Sequence, residues 1–591
     1  MSLKLLKNLA DKTFHHPDWG QFILSVFSVL LLEIVARGSI LSAFVWTFTM
    51  PHRFIFFACI FFIFTRTISA IIVSFRFSWI LLFIPAFFLS LIHAVKFSTR
   101  NEPLFPWDLI LFREAKAILG IGFFPFSTLQ IAVILTFFTA TTLLVWSLPK
   151  RPMPVSSRIF SLLLSIAIFV SVFCLRHIDS WREFCLRSGF HPWNQSLTTA
   201  RLGFLPSFLM NLPSAVVPPP RGYSPERADR ILSKFSSDNR KTDSLRAKEP
   251  VNLIIFLAEG FWDPVGLKKI ELKKDPLPNY HCILKNNLAF ELISPVLAGN
   301  TCNVELELLT GLNMAFFPVG SIPYQQYIHR KVESLASVLS RNGYISVAIH
   351  PFHKWFFNRN RVYPLLGFDR FISQEAMARK EKSGEYISDM SLANEIIDTA
   401  SNSPCPFFIF AVSMENHSPY PPDRYEKKFE DPGFNEAERI LDTDQIGILN
   451  TYITGINHSD SAIGRLIDHF SKIERKTMIV FLGDHLPYLD SNYNIFRDAG
   501  YLESDNLFPD MFQQKVVIWT NYKINKIKMP NLLSYSHLPA IILNIIDIPL
   551  SSLIEYTDTI REKYPVIHHK LVPANINDYK IIQYHIVFNN D

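Results

Sequence analysis

Cysteine is scarce in this chain, with six residues scattered over 591. No paired spacing joins them, which excludes a disulfide framework or a zinc ribbon and leaves the compartment to be read from topology. Dense blocks of one charge sign are lacking too. The net charge of +6 is spread without a Lys/Arg run, so a nucleic-acid partner finds no footprint. No small-residue cleavage site follows the first apolar run, 20–36. The flank before it, with Lys4, Lys7 and Lys12, therefore reads as cytoplasmic rather than as a removed signal. No internal repeat is visible.

What the chain does have is phenylalanine, 53 residues crowded toward the first third, as suits a bilayer-embedded segment. Apolar spans at 20–36, 54–73, 77–95, 130–148 and 159–175 each approach the ~20 residues a bilayer demands, giving about five helices. With the N-terminus inside, Lys4, Lys7, Lys12, Arg76, Lys150, Arg151 and Arg158 all face the cytoplasm in short flanks. An odd number of spans then delivers everything after Leu175 to the outer side. Glu33 and Arg66 fall inside the first two spans, where charges are paired, snorkel, or bind lipid. The Pro-bounded aromatic stretch 102–109, beginning at Glu102, is expected to lie along the outer interface.

At this length two or three parts are expected. The reading is a transmembrane domain over 1–175, then interfacial helices and a linker over 176–250. The linker holds Pro218-Pro-Pro-Arg and a polar run, 236–248. A catalytic domain over 251–560 follows, and then an irregular tail over 561–591, with His568-His569 as a surface pair. Strand-like runs at 251–258, 288–296, 344–349, 407–413, 478–482 and 515–520 alternate with helical patterns. That alternation predicts an α/β domain with a central, mostly parallel sheet covered on both faces.

The chemistry gathers at the ends of those runs, where open α/β sheets carry their sites. Glu259 ends the first run, and Asp484-His485 follows Gly483 at the end of another. Thr301 comes after a Gly-Asn turn at the start of a helical pattern. There a hydroxyl meets unpaired N–H groups and the positive end of the helix dipole. Two carboxylates, an imidazole and a hydroxyl form a mixed oxygen/nitrogen set for one divalent cation, manganese first, with magnesium or zinc as alternatives. Bound to a cation, the Thr301 hydroxyl becomes a nucleophile near neutral pH. Taken singly, Thr301 reads as a helix cap, and each acid as a solvated group at a strand end.

Together the motifs resemble the lipoteichoic acid synthase family of membrane-anchored phosphoglycerol transferases, within the alkaline phosphatase/sulfatase superfamily. The residues that carry the likeness are Glu259 in LAEG, Thr301 in GNTCNVELELLTGLNM, and His350 with Asn358-Arg359 in HPFHKWFFNRNRVY. Asn416-His417 in SMENHSPYP and Asp484-His485 in LGDHLP complete it. By this resemblance Glu259, Thr301, Asp484 and His485 hold the metal, and Thr301 attacks. His350, Arg359 and His417 hold the phosphoglycerol group, with His350 or His417 handling protons. Phe357 stands where the polymer-making synthases carry Trp; it keeps the aromatic wall but loses the indole donor. Cys302 is followed by Asn-Val-Glu rather than the x-Pro-x-Arg setting of sulfatases, which argues against sulfate ester hydrolysis.

The resemblance implies transfer of phosphoglycerol from a phosphatidylglycerol-type lipid, through a phospho-threonine, to a glycan or polymer acceptor. The enzyme would be multi-pass in the cytoplasmic membrane, with its catalytic domain on the periplasmic or extracellular side. The alternatives are a phosphoethanolamine transferase and a catalytically silent lipid-binding scaffold. Orientation is directly testable. A cysteine placed after Leu175 should react with a membrane-impermeant thiol reagent on spheroplasts, and one placed near Lys150 should not. Reversed labelling would put the catalytic domain inside.

Overall fold

The computed structural model describes residues 17–100, 103–109, 127–147, 154–175, 195–212, 217–235, 249–318, 320–429, 440–490, 493–504, 506–524 and 529–589. The expectations placed on Lys4, Lys7, Lys12, Glu102, Lys150, Arg151 and the run 236–248 lie outside the described residues. The chain divides into two compact units, Met1–Val216 and Val217–Asp591.

The first unit is helical. Trp19–Arg37, Pro51–Ile72, Phe75–Phe97 and Thr128–Trp146 are long and apolar enough to cross a bilayer. The fifth expected span is helical over Val155–Leu175, and among the described residues it is apolar over Val155–Ile168. One helix, Ile40–Thr49, had no counterpart in the expected spans. Gly38, at φ +60°, permits the turn before it, and the Ser39 hydroxyl caps it by accepting from the Ser42 N–H. Both in-span charges have partners. Glu33 accepts from Arg37 Nε at 2.9 Å and from the Phe204 N–H at 2.9 Å, while Arg66 donates to Gln21 Oε1 at 3.2 Å. Pairing of this kind is what makes a carboxylate or guanidinium tolerable in a bilayer-spanning helix.

The second unit is built on a sheet. In chain order its strands are β1 (Asn252–Ala258), β2 (Leu288–Ile293), β3 (Ile345–His350), β4 (Arg370–Ser373), β5 (Lys382–Ser383), β6 (Tyr386–Ile387), β7 (Phe407–Val412), β8 (Thr477–Gly483), β9 (Gln513–Thr520) and β10 (Leu532–Ser534). Eight of them form one sheet in the order β10-β2-β9-β8-β1-β7-β3-β4, and β5 and β6 make a separate hairpin. Within the eight-stranded sheet β9 runs antiparallel to both neighbours, and the remaining pairs are parallel. The mostly parallel α/β sheet expected from the sequence is present.

Strand β1 explains why its sequence is a continuous apolar run. Leu253, Ile255 and Leu257 face one layer of core, Ile254, Phe256 and Ala258 face the other, and all six are fully buried. Register then sets the site. Ala258 pairs with Gly483 across β1 and β8, so the next residues, Glu259 and Asp484, leave the sheet side by side. His350, the last residue of β3, reaches the level of Val412 at the end of β7. The helix Thr301–Thr310, buried along its whole length, begins at the same edge and ends at Gly311, whose φ of +74° suits a glycine stop.

The C-terminal residues differ from the irregular tail expected. Asn577–Phe588 is a helix, with Tyr579, Ile581 and Ile582 fully buried. Gln583 clasps Asn313 through two bonds, accepting from its N–H at 2.8 Å and donating to its C=O at 3.0 Å. The spacing Ile576, Tyr579, Ile582 is helical, but it is short and set among polar residues, so it shows only once its partner surface exists. His568 is likewise buried, stacked on Phe508 at 4.9 Å, rather than on the surface. Ile582→Ala should therefore cost about 2–5 kcal/mol, read as a lowered melting temperature of the full chain. An unchanged melting point would mean that the helix does not pack.

Candidate active site

Four side chains from three elements meet beyond the carboxyl ends of β1 and β8. The Thr301 hydroxyl donates toward both Asp484 Oδ2, at 2.7 Å, and Glu259 Oε2, at 3.0 Å. His485 Nε2 lies 3.2 Å from Asp484 Oδ2 and 3.7 Å from Glu259 Oε1. The carboxylate oxygens and imidazole nitrogen of Glu259, Asp484 and His485 lie within 4.8 Å of one another, and all three residues are buried. Backbone donors fix the frame. Asp484 Oδ1 accepts from the N–H groups of Gly260 and His485, at 2.8 and 2.7 Å, and the Glu259 N–H is held by Ser413 Oγ at 3.0 Å. The turn that delivers Thr301 is left-handed at Ala298 and Asn300, with φ of +55° and +61°. Strain of this kind is held only where surrounding structure over-determines it.

These residues fit a divalent cation. His485 donates Nδ1–H to the Leu486 carbonyl at 2.9 Å, which turns Nε2 toward the carboxylates. That Nε2 is buried and has no hydrogen-bond partner among the described residues. Burial, with the Glu259 charge beside it, pushes the Asp484 carboxyl up to about 6. Burial alone would lower the His485 imidazole, but the charges of Asp484 and Glu259 outweigh it and raise it. Two carboxylates closed off from water with one imidazole are an unfavourable set by themselves, and a cation is the group that satisfies them.

A second cluster lies one helical turn along from Thr301. Glu305, at the i+4 position, accepts from Arg359 Nη2 at 2.6 Å and Nε at 3.0 Å through Oε1, and from the Tyr363 hydroxyl at 2.9 Å through Oε2. Arg359 Nη1 donates to His350 Nε2 at 3.0 Å, and His350 passes its Nδ1–H to the Val412 carbonyl at 3.0 Å. His350 is thus a neutral imidazole with both nitrogens engaged. Burial and the Arg359 charge hold it well below the ordinary histidine range. The Phe357 ring packs 5.2 Å from the guanidinium carbon, so it touches Arg359 rather than open solvent. Phe357 and Asn358, at φ of +55° and +57°, make the left-handed corner that starts the Arg359 helix.

His417 differs from His350. Its Nδ1–H goes to the Ser418 carbonyl at 2.7 Å, it is only partly buried, and Nε2 remains as its available lone pair. Burial lowers it below the ordinary range, and the neighbouring His485 charge adds to that. Its loop is pinned by Arg424, which donates to the His417 carbonyl at 2.8 Å.

Sequence reasoning missed Glu305. The residue stands in the same motif as Thr301, but a glutamate in a helix that otherwise reads as core gave only the i+4 spacing as a signal. Ser413, which holds the Glu259 N–H, had no sequence signal beyond its place at a strand end.

Residues 251–548 match the family model described as Sulfatase. The chain is 38% identical over 328 residues to a putative cyclic beta-1,2-glucan modification protein of Rhizobium meliloti, covering 55% of this chain and 48% of that one. It is 24% identical to the lipoteichoic acid synthase-like YvgJ of Bacillus subtilis, over 29% of this chain and 26% of that one. Among solved structures, the Streptococcus pyogenes phosphoglycerol transferase GacH in complex with sn-glycerol-1-phosphate superposes with a TM-score of 0.52. Its identity is 22%, over 63% of this chain and 95% of that one. The chain spans about half the length of the first curated relatives it matches.

Metal analysis tests the donor set. The purified full chain should carry about one equivalent of a divalent cation, given one three-residue cluster with a hydroxyl. Asp484→Asn and His485→Ala should each lose it on dialysis. Retention by both variants would place the cation elsewhere.

Proposed function

The chain belongs to the sulfatase family, and we propose that it is a membrane-anchored, metal-dependent phosphoglycerol transferase. It takes the group from a phosphatidylglycerol-type lipid, holds it on Thr301, and passes it to a hydroxyl of a glycan or polymer outside the cytoplasmic membrane. The observation that carries this reading is the Thr301 hydroxyl at the start of its helix, donating to Asp484 and Glu259 with His485 beside them. A capping threonine has no need of two buried carboxylates.

When bound by Glu259, Thr301, Asp484 and His485, a divalent cation supplies positive charge that acidifies the hydroxyl and offsets charge on the phosphoryl oxygens. Manganese is the first choice, because the set is hard oxygen plus one imidazole. In the first half-reaction Thr301 Oγ1 gives up its proton on the carboxylate side and attacks phosphorus. The bond from phosphorus to the glyceride oxygen breaks, that oxygen takes a proton from water, and diacylglycerol leaves. In the second, an acceptor hydroxyl attacks while His417 Nε2 takes its proton, the bond from phosphorus to Thr301 breaks, and Thr301 Oγ1 recovers a proton from the carboxylate side. A neutral His417 suits that step. His350, with both nitrogens engaged, serves to hold rather than to carry protons.

The Arg359 cluster supports glycerol over ethanolamine as the headgroup. Both Glu305 oxygens are taken, by Arg359 and by Tyr363, and the His350 lone pair is taken by Arg359. What remains there is guanidinium N–H, which serves a hydroxyl oxygen and offers an ammonium nothing. The likeness to a glucan modification protein supports a saccharide acceptor.

Release of diacylglycerol from fluorescent phosphatidylglycerol, with phosphatidylethanolamine as comparison, tests the reading. Thr301→Ala should lower release by several orders of magnitude while lowering stability by about 1.5–3 kcal/mol, the loss of a hydrogen bond to a charged group. Arg359→Ala deprives Glu305 of its partner, so it should cost about 3–5 kcal/mol in stability as well as donor affinity. Wild-type turnover by Thr301→Ala would end the covalent mechanism. Cleavage of the ethanolamine lipid alone would install the phosphoethanolamine reading.

A further inference from the structure

A run of partly exposed rings leads away from His417. The Tyr386 ring lies 5.9 Å from the His417 ring, and Phe352 lies 6.3 Å from Tyr386. Phe356 follows at 5.1 Å from Phe352, and Trp355 at 6.4 Å from Phe356. His353 stacks on Trp355 at 5.3 Å, with planes only 12° apart. All six rings are neither fully buried nor fully exposed. Core aromatics elsewhere in this unit, such as Phe256, Phe408 and Tyr363, are closed from water altogether.

The strip is held in place by specific devices. Tyr386 stands on the β5–β6 hairpin, whose turn has Gly384 at φ +64°. A Cβ on Gly384 would meet Arg424 Cγ at 2.7 Å. Arg424 in turn lies 5.6 Å from the Tyr386 ring and donates to the His417 carbonyl, so one guanidinium ties the hairpin to the His417 loop. At the far end a polar edge accompanies the rings. His353 Nδ1 meets Glu375 Oε1 at 3.0 Å, Gln374 Nε2 lies 2.9 Å from His353 Nδ1, and Ser373 donates to Glu375 Oε2 at 2.6 Å. The Glu375 and His353 side chains are 40% and 41% exposed.

We propose that this strip is the acceptor subsite, and that it takes a saccharide chain laid along Tyr386, Phe352, Phe356 and Trp355 with one hydroxyl brought to His417. The proposal rests on the transfer reading above and names where the second substrate binds. A sugar ring has an apolar C–H face for an aromatic ring and hydroxyls at its rim for groups such as Glu375, Gln374 and His353. An acyl chain would cover those polar groups without offering them a partner, which is costly. The strip also starts at the group that takes the acceptor's proton, where a second substrate must arrive. The His417 ring with Tyr386 at its side is the reaction end, and Trp355 with His353 is the distal end.

The test uses the full chain in detergent, with Thr301→Ala to block turnover, and a β-1,2-linked glucan oligosaccharide as probe in calorimetry. Saturable binding is expected, weakened about tenfold by Phe352→Ala and by Trp355→Ala, as loss of one ring contact predicts. Trp355→Phe keeps a ring and should stay within about threefold of the parent, which separates lost stacking from misfolding. No binding, or unchanged binding in both alanine variants, overturns the proposal. Displacement of the oligosaccharide by diacylglycerol in mixed micelles also overturns it, assigning the strip to the donor's tails. Failure of the transfer reading shows separately, as no diacylglycerol released from phosphatidylglycerol by the wild-type chain.

Discussion

Two carboxylates and an imidazole closed off from water in one place form the constraint on which the catalytic unit depends. The hydrogen-bonded register of β1 with β8 makes the encounter unavoidable, because Ala258 opposite Gly483 sends Glu259 and Asp484 out together. Burial then drives Asp484 up to about 6. The neighbouring structure is arranged to make this tolerable. Backbone N–H groups of Gly260 and His485 hold one Asp484 oxygen, Thr301 donates to the other, and His485 Nε2 faces both acids. A cation completes that arrangement in a way that no further protein donor could.

The Thr301 helix links this centre to the Glu305–Arg359 cluster. Thr301 and Glu305 are one turn apart on the same face, so the element that carries Thr301 to the two carboxylates also anchors Arg359. Left-handed residues flank both ends of the link, at Ala298 and Asn300 before Thr301 and at Phe357 and Asn358 before Arg359. Strained corners packed against buried, fully bonded side chains fix position before substrate arrives, and such pre-organisation is what phosphoryl transfer asks of a protein. Glu305 also cancels the Arg359 charge. The Glu305–Arg359 cluster therefore carries little net charge.

Much of this was legible in the sequence. The long buried strands were, because a strand covered on both faces is apolar throughout, as in NLIIFLA and TMIVFLG. The short β4, β5, β6 and β10 were not, since two to four residues carry no periodicity. The four clustered side chains could be named from strand ends and a turn, because α/β sheets place chemistry there. Glu305 was hidden by its helix, whose other residues read as core. The C-terminal helix was hidden for the opposite reason, since its apolar face is narrow and makes sense only against Asn313 and the core it covers. The helix Ile40–Thr49 carries no span signal, because ten residues between two spans fall below the length that marks a membrane helix.

The central claim is that Thr301 becomes covalently phosphorylated with the headgroup of its donor. The direct measurement is mass spectrometry of acid-quenched full-length protein after brief incubation with phosphatidylglycerol and no acceptor, followed by peptide mapping. The account predicts a phosphoglycerol adduct confined to the peptide that contains Thr301, and its disappearance when a saccharide acceptor is added before quenching. Continued release of diacylglycerol with an unmodified Thr301 peptide, or with the adduct on another residue, would contradict it.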